Sequence, residues 1–118
     1  MNDPSPKILI VDDEKYIRAA LASLVKAEGF KALVRSDGAA ALETIRTQSP
    51  LLMLTDLKMP GIDGMELMRR AKDLDPDMPI VMVTAYAEVQ GAVKAIKAGA
   101  HDYLPKPFAH ALQLTISA

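Results

Sequence analysis

The sequence predicts a doubly wound α/β domain, a five-stranded parallel sheet with helices on both faces. Three observations predict it. Short aliphatic runs alternate with helix-period patterns through all 118 residues. The runs are continuous rather than alternating, as in strands buried on both faces. Each helical stretch is long enough for a crossover between parallel strands, which is right-handed in nearly every known case.

Lys7–Val11 (KILIV) is brief and aliphatic and forms the first strand. From Glu14 the period changes: Ile17, Leu21, Leu24 and Val25 recur at threes and fours, one face of a helix that Gly29 ends. Ala32–Arg35 is a weaker second strand. After Ser36–Asp37–Gly38, Ala39 to Gln48 forms the second helix, with Leu42 and Ile45 inward, and Pro50 blocks its continuation. Leu51–Thr55 (LLMLT) is the third strand and runs into Asp56. A loop from Leu57 to Asp63 precedes a helix over Met65 to Leu74, with Leu67, Met68, Ala71 and Leu74 inward. Pro76 and Pro79 bracket the turn into Ile80–Val83, the fourth strand, which runs into Thr84. Ala87 to Ala98 is the fourth helix, with Val89, Val93 and Ile96 inward, closed by Gly99. Tyr103–Leu104 is a short fifth strand ending at Pro105–Lys106–Pro107. A fifth helix begins near Phe108, with Leu112 and Ile116 inward. For five such units the expected strand order is the flavodoxin-like 2-1-3-4-5.

Length and composition fit a single domain over residues 1–118, with 1–6 as a flexible start. A chain of this size buries roughly two-thirds of its unfolded surface, enough to fold unaided. The formal net charge of −1 provides no field for direct nucleic-acid or anionic-membrane binding. Without cysteine there are no disulfides, thiolate nucleophiles or Cys-based zinc sites. The aliphatic runs are too short to cross a bilayer, and the first residues lack the pattern of a signal peptide, so the expected location is the cytoplasm. Ala109 to Ala118 has no polar tail, and a longer parent protein with a C-terminal output domain is expected.

In open parallel sheets, ligands gather at the carboxyl ends of the strands. Those ends carry Asp12, Asp13 and Glu14, then Asp56, Thr84 and, after the fifth strand, Lys106. At ~4 Å and an effective dielectric near 20, each like-charged pair of carboxylates costs on the order of 4 kcal/mol. Lys106 offsets part of that, and a divalent cation offsets more. Mg²⁺ suits the site, because it takes one or two carboxylates, keeps several waters and completes its octahedron with phosphate. The expected ligands are Asp13 and Asp56, a backbone carbonyl from the loop after Asp56, and Asp12 through water. The pocket also suits phosphoryl transfer, which needs positioning and charge neutralisation. Asp56 is the expected nucleophile, giving an acyl phosphate whose oxygens are shared among Mg²⁺, Lys106 and the Thr84 hydroxyl.

The strings VDDE (Val11–Glu14), TDLKMPGIDG (Thr55–Gly64), VTAY (Val83–Tyr86) and DYLPKPF (Asp102–Phe108) resemble those of CheY-like receiver domains of two-component response regulators, in order and in spacing. The resemblance covers about Lys7 to Phe108 and is nearest to receivers of NtrC-type transcriptional activators. It implies an acidic pair at Asp12 and Asp13, a phosphoacceptor at Asp56, and a metal-binding carbonyl at Lys58. It also implies a switch hydroxyl at Thr84, a switch aromatic at Tyr103, a phosphate-binding lysine at Lys106, and a cis bond between Lys106 and Pro107. The implied donor is a sensor histidine kinase or a phosphotransfer protein. The implied output is a remodelled face of helix four, strand five and helix five, acting on an output domain or on a second copy of the chain. Such a domain is a signalling module, not an enzyme, and promotes only its own phosphoryl transfer and autodephosphorylation.

Each residue also has a plainer reading. Asp12–Asp13–Glu14 could cap the first helix, Asp63–Gly64 could be an ordinary helix start, and Tyr103 a partly buried core ring. Lys58 and Tyr86, two positions after Asp56 and Thr84, either cover the pocket or point to solvent. Arg69, Arg70 and Lys72 form a solvated helix face, and His101 and His110 are surface residues. Three other functions use related parts. An aspartyl phosphatase wants an Asp two residues after its nucleophile, where this chain has Lys58. A flavin module needs a Ser/Thr/Gly-rich phosphate loop after strand one, where this chain is acidic. A pseudo-receiver used only for protein contact has no need of the full residue set.

Overall fold

The computed structural model describes residues 5–84 and 89–105, with only the backbone of Thr84, Val89, Gln90 and Pro105. The fifth helix expected from Phe108, along with Tyr86, Lys106, Pro107 and His110, lies outside the described residues. The strands are β1 (Lys7–Val11), β2 (Lys31–Arg35), β3 (Leu52–Thr55), β4 (Ile80–Thr84) and β5 (Asp102–Pro105). They pair in parallel in the order β2-β1-β3-β4-β5, as expected. The described helices are α1 (Lys15–Ala27), α2 (Gly38–Gln48), α3 (Gly64–Leu74) and α4 (Val89–Lys97).

Successive strand residues point to opposite faces, and the core divides accordingly. Leu9, Val11, Met53, Ile80 and Met82 meet Ala41 and Ile45 of α2, Leu67, Met68 and Ala71 of α3, and Ala95 of α4. Ile8, Ile10, Leu54, Val81, Val83 and Leu104 form the other layer with Leu21 and Val25 of α1. Aliphatic strand runs thus fill both layers at once, which is why they do not alternate with polar residues.

Three expectations are corrected. Leu51 is exposed, and β3 begins at Leu52. Leu74 ends α3 half-exposed, one turn beyond the last buried residue, Ala71. In α4 the expected inner stripe faces out: Val93 is 48% and Ile96 47% exposed, whereas Ala95 is fully buried. The helix turns its alanine side to the sheet, because a small side chain lets its backbone sit close. The side chain of Val89 lies outside the described set.

Candidate functional site

Asp12 and Asp56 follow immediately after β1 and β3. Val11 and Thr55 are register partners, so the two carboxylates leave adjacent strands at the same height. The Asp56 N–H donates to the Val11 carbonyl (3.0 Å) and the Asp12 N–H to the Arg35 carbonyl (3.2 Å), extending both ladders past the strand ends. Asp12 is 1% and Asp56 4% exposed, while the neighbouring Asp13 is exposed. One oxygen from each of Asp12, Asp13 and Asp56 lies within 4.8 Å of the others. This acidic hollow is the grouping expected from the strand ends.

Main-chain groups hold it in place. The Glu14 N–H donates to Asp12 Oδ1 (2.8 Å), and the Leu57 N–H to Asp56 Oδ1 (2.8 Å). From α1, the Arg18 guanidinium donates to the Asp12 carbonyl (2.9 Å). Nothing in the residue pattern marked Arg18, which stands in the first turn of α1. The reading of the acidic triplet as a helix cap is corrected: Glu14 occupies the N-cap of α1 but makes no side-chain capping bond, and Asp12 serves its neighbour's N–H instead. Asp63, by contrast, caps α3 by accepting from the Glu66 N–H (2.9 Å).

The loop between β3 and α3 is tied at its base and along its length. The Gly64 N–H donates to the Leu57 carbonyl (2.7 Å). Met59 is buried, and Leu57 and Ile62 pack against the core. At Gly64 the helix passes so near the phosphoacceptor candidate that an added Cβ would stand 2.2 Å from the Asp56 carbonyl oxygen and 2.8 Å from Leu57 Cα. The Asp63–Gly64 pair read as a plain turn signal in the sequence, and this close approach depends on tertiary packing that a turn signal does not carry. The side chain of Lys58 is exposed.

Thr84 and Pro105 are register partners at the ends of β4 and β5. Thr55 pairs with Met82, so Thr84 stands at the same rim, level with the residue after Asp56. Lys106 is the next residue after Pro105 and lies outside the described set. Tyr103 is half-buried against the core. On α3, Arg69 and Arg70 converge on Glu66, whose carboxyl they hold at a pKa of about 2 through hydrogen bonds from Arg69 first and Arg70 second.

Chemically, three carboxylates within one oxygen-rich hollow fit a hard divalent cation, which prefers oxygen ligands and offsets their mutual repulsion. Among the described residues no helix is long and apolar enough to cross a membrane.

The sequence and the fold are similar to those of known proteins. The family profile for the response regulator receiver domain matches residues 8–116. The dicarboxylate transport transcriptional regulatory protein DctD of Pseudomonas aeruginosa is 37% identical over 107 residues, covering 90% of this chain and 23% of DctD. The DNA-binding transcriptional regulator NtrC of Escherichia coli is 37% identical over 101 residues, covering 86% of this chain and 22% of NtrC. Response regulator MprA of Mycobacterium ulcerans is 39% identical over 105 residues, 89% of this chain and 45% of MprA. The chain therefore spans less than half the length of each of these relatives. Among solved structures, the receiver domain of NtrX from Brucella abortus superposes with a TM-score of 0.85 at 33% identity, covering 93% of each chain. A receiver domain from Clostridium thermocellum gives 0.86 at 32% identity, covering 95% of this chain and 91% of that one.

Proposed function

We propose, from the premise that this chain belongs to the response regulator receiver domain family, that it is a signalling switch thrown by phosphorylation of Asp56. The observation that carries the reading is the convergence of Asp12, Asp13 and Asp56 on one rim, two of them buried. Asp13, Asp56 and the Lys58 carbonyl would hold Mg²⁺, with Asp12 acting through water. When bound, the cation supplies charge neutralisation for the phosphoryl oxygens.

The donor is a phosphohistidine of a sensor kinase or phosphotransfer protein. An Asp56 carboxylate oxygen bonds to phosphorus as the donor's phosphorus–nitrogen bond breaks. No general base is required, since a carboxylate has no proton to lose. Burial keeps the Asp56 side chain in one orientation, with the Leu57 N–H fixing Oδ1. Lys106 and the Thr84 hydroxyl take the remaining phosphoryl oxygens. Approach of Thr84 lets Tyr103 turn inward and alters the face made by α4, β5 and the segment after it. Driving such an equilibrium from 1:99 to 99:1 takes about 5.5 kcal/mol of differential stabilisation, within reach of a few charge-assisted hydrogen bonds.

The chain acts as one receiver domain in the cytoplasm, and the altered face controls an attached output domain or a second copy, with transcription as the end point. The similarity to DctD, NtrC and MprA supports that end point. The test is Mg²⁺-dependent binding of beryllofluoride, followed by amide resonances. Shifts at Asp56, Thr84 and Tyr103, absent in Asp56→Asn, are expected. Equal shifts in Asp56→Asn would overturn the reading.

A further inference from the structure

Gly38, the first residue of α2, faces the loop that follows Asp56 rather than the sheet. A Cβ built there would stand 2.9 Å from Ile62 Cβ, 3.1 Å from Ile62 Cγ2 and 3.4 Å from the Ile62 carbonyl oxygen. Two of these are side-chain atoms of Ile62, but its Cβ is fixed to the main chain, so relief requires the backbone of the loop or of α2 to move. Ile62 lies two residues before Gly64, which itself abuts the Asp56 carbonyl, and the loop between them is closed by the Gly64 N–H on the Leu57 carbonyl. With Met59 sunk in the core, Lys58 is held between two anchored neighbours, Leu57 and Met59. The loop thus has one strut at its base and a second on its flank, and α2 supplies the second.

We infer that Gly38 and Ile62 are positioning residues: their contact lets α2 set the placement of the loop whose Lys58 carbonyl serves the metal site. This rests on the functional reading above and deepens it. It gives α2, a helix with no residue among the proposed ligands, a direct hold on metal affinity. A cation such as Mg²⁺ accepts little departure from octahedral geometry, so a few tenths of an ångström at a carbonyl is enough to register.

The experiment measures the Mg²⁺ dissociation constant by amide-shift titration of the 118-residue chain, with thermal melting in parallel. Gly38→Ala pushes the loop and Ile62→Ala releases it, and each raises the dissociation constant on the order of tenfold, as loss of supporting contacts around metal ligands does. In metal-free protein both variants shift the amide resonances of Leu57 to Ile62. The double variant loses no more than the worse single one, because both act on one contact. Glu43→Gly, on the exposed face of α2, lowers the melting temperature and leaves the dissociation constant at the parent value. Parent-like Mg²⁺ binding in Ile62→Ala and in a folded Gly38→Ala overturns the inference, as does equal weakening in Glu43→Gly. If Gly38→Ala does not fold, Ile62→Ala decides alone. A parent chain whose Mg²⁺ response matches that of Asp13→Asn instead removes the functional reading itself, and the inference with it.

Discussion

Helices α3 and α4 lie on the same face of the sheet and carry comparable apolar content, yet they are held very differently. α3 is fastened along its length: Gly64 against the Asp56 carbonyl, Asp63 capping its first turn, Leu67, Met68 and Ala71 buried, and Glu66 gripped by Arg69 and Arg70. In α4, Ala95 is the buried residue among those described, and Val93 and Ile96 stand half in solvent. The two helices mark where change is tolerated and where it is not. The helix touching the proposed phosphoacceptor is fixed, and the one on the proposed output face keeps its larger apolar groups unburied.

That contrast is disrupted most severely at Gly64. Gly64→Ala puts a methyl into a main-chain carbonyl that cannot rotate away, and a loss on the order of 4 kcal/mol is expected, above ordinary overpacking. Denaturant unfolding measures it. Next comes Leu67→Ala, expected to cost about 3 kcal/mol through the cavity it leaves in α3, against less than about 0.5 kcal/mol for Ile96→Ala on the exposed side of α4. Equal losses at Leu67 and Ile96 would erase the distinction between the helices. The smallest effect is electrostatic. Glu66 has its pKa lowered from 4.5 to about 2 by Arg69 and Arg70, so its stabilising contribution is present above pH 4.5 and is lost as pH falls toward 2. The melting-temperature advantage of the parent over Glu66→Gln therefore shrinks over that window. Glu66 is partly open to solvent, so the advantage is small at any pH and smaller in high salt.

The same two helices show how far the sequence could be read. Strand order and the placement of each strand to within about two residues followed from aliphatic runs and Gly/Pro punctuation, because burial on both faces leaves little choice of residue type. The inner face of α3 followed from period 3.6 up to Ala71. In α4 the same rule selected Val93 and Ile96, since periodicity weighs size and hydrophobicity. The packing instead selected Ala95, on a stripe about 130° away, because close approach of a helix to a sheet rewards small side chains. That preference is set by the neighbours, not by the helix's own pattern. The acidic rim was legible because three carboxylates at strand ends have few plain uses together. The Arg18 bond to the Asp12 carbonyl and the close backbone approaches at Gly38 and Gly64 were not, for each depends on two elements meeting.

The central claim is that Asp56 takes the phosphoryl group. Intact-mass measurement after incubation with phosphoramidate and Mg²⁺ addresses it directly. The parent is expected to gain the mass of a single phosphoryl group, labile to hydroxylamine and mapping to Asp56, and Asp56→Asn to gain none. Phosphorylation of Asp56→Asn at the parent rate, or an adduct on any other residue of the parent, contradicts the account.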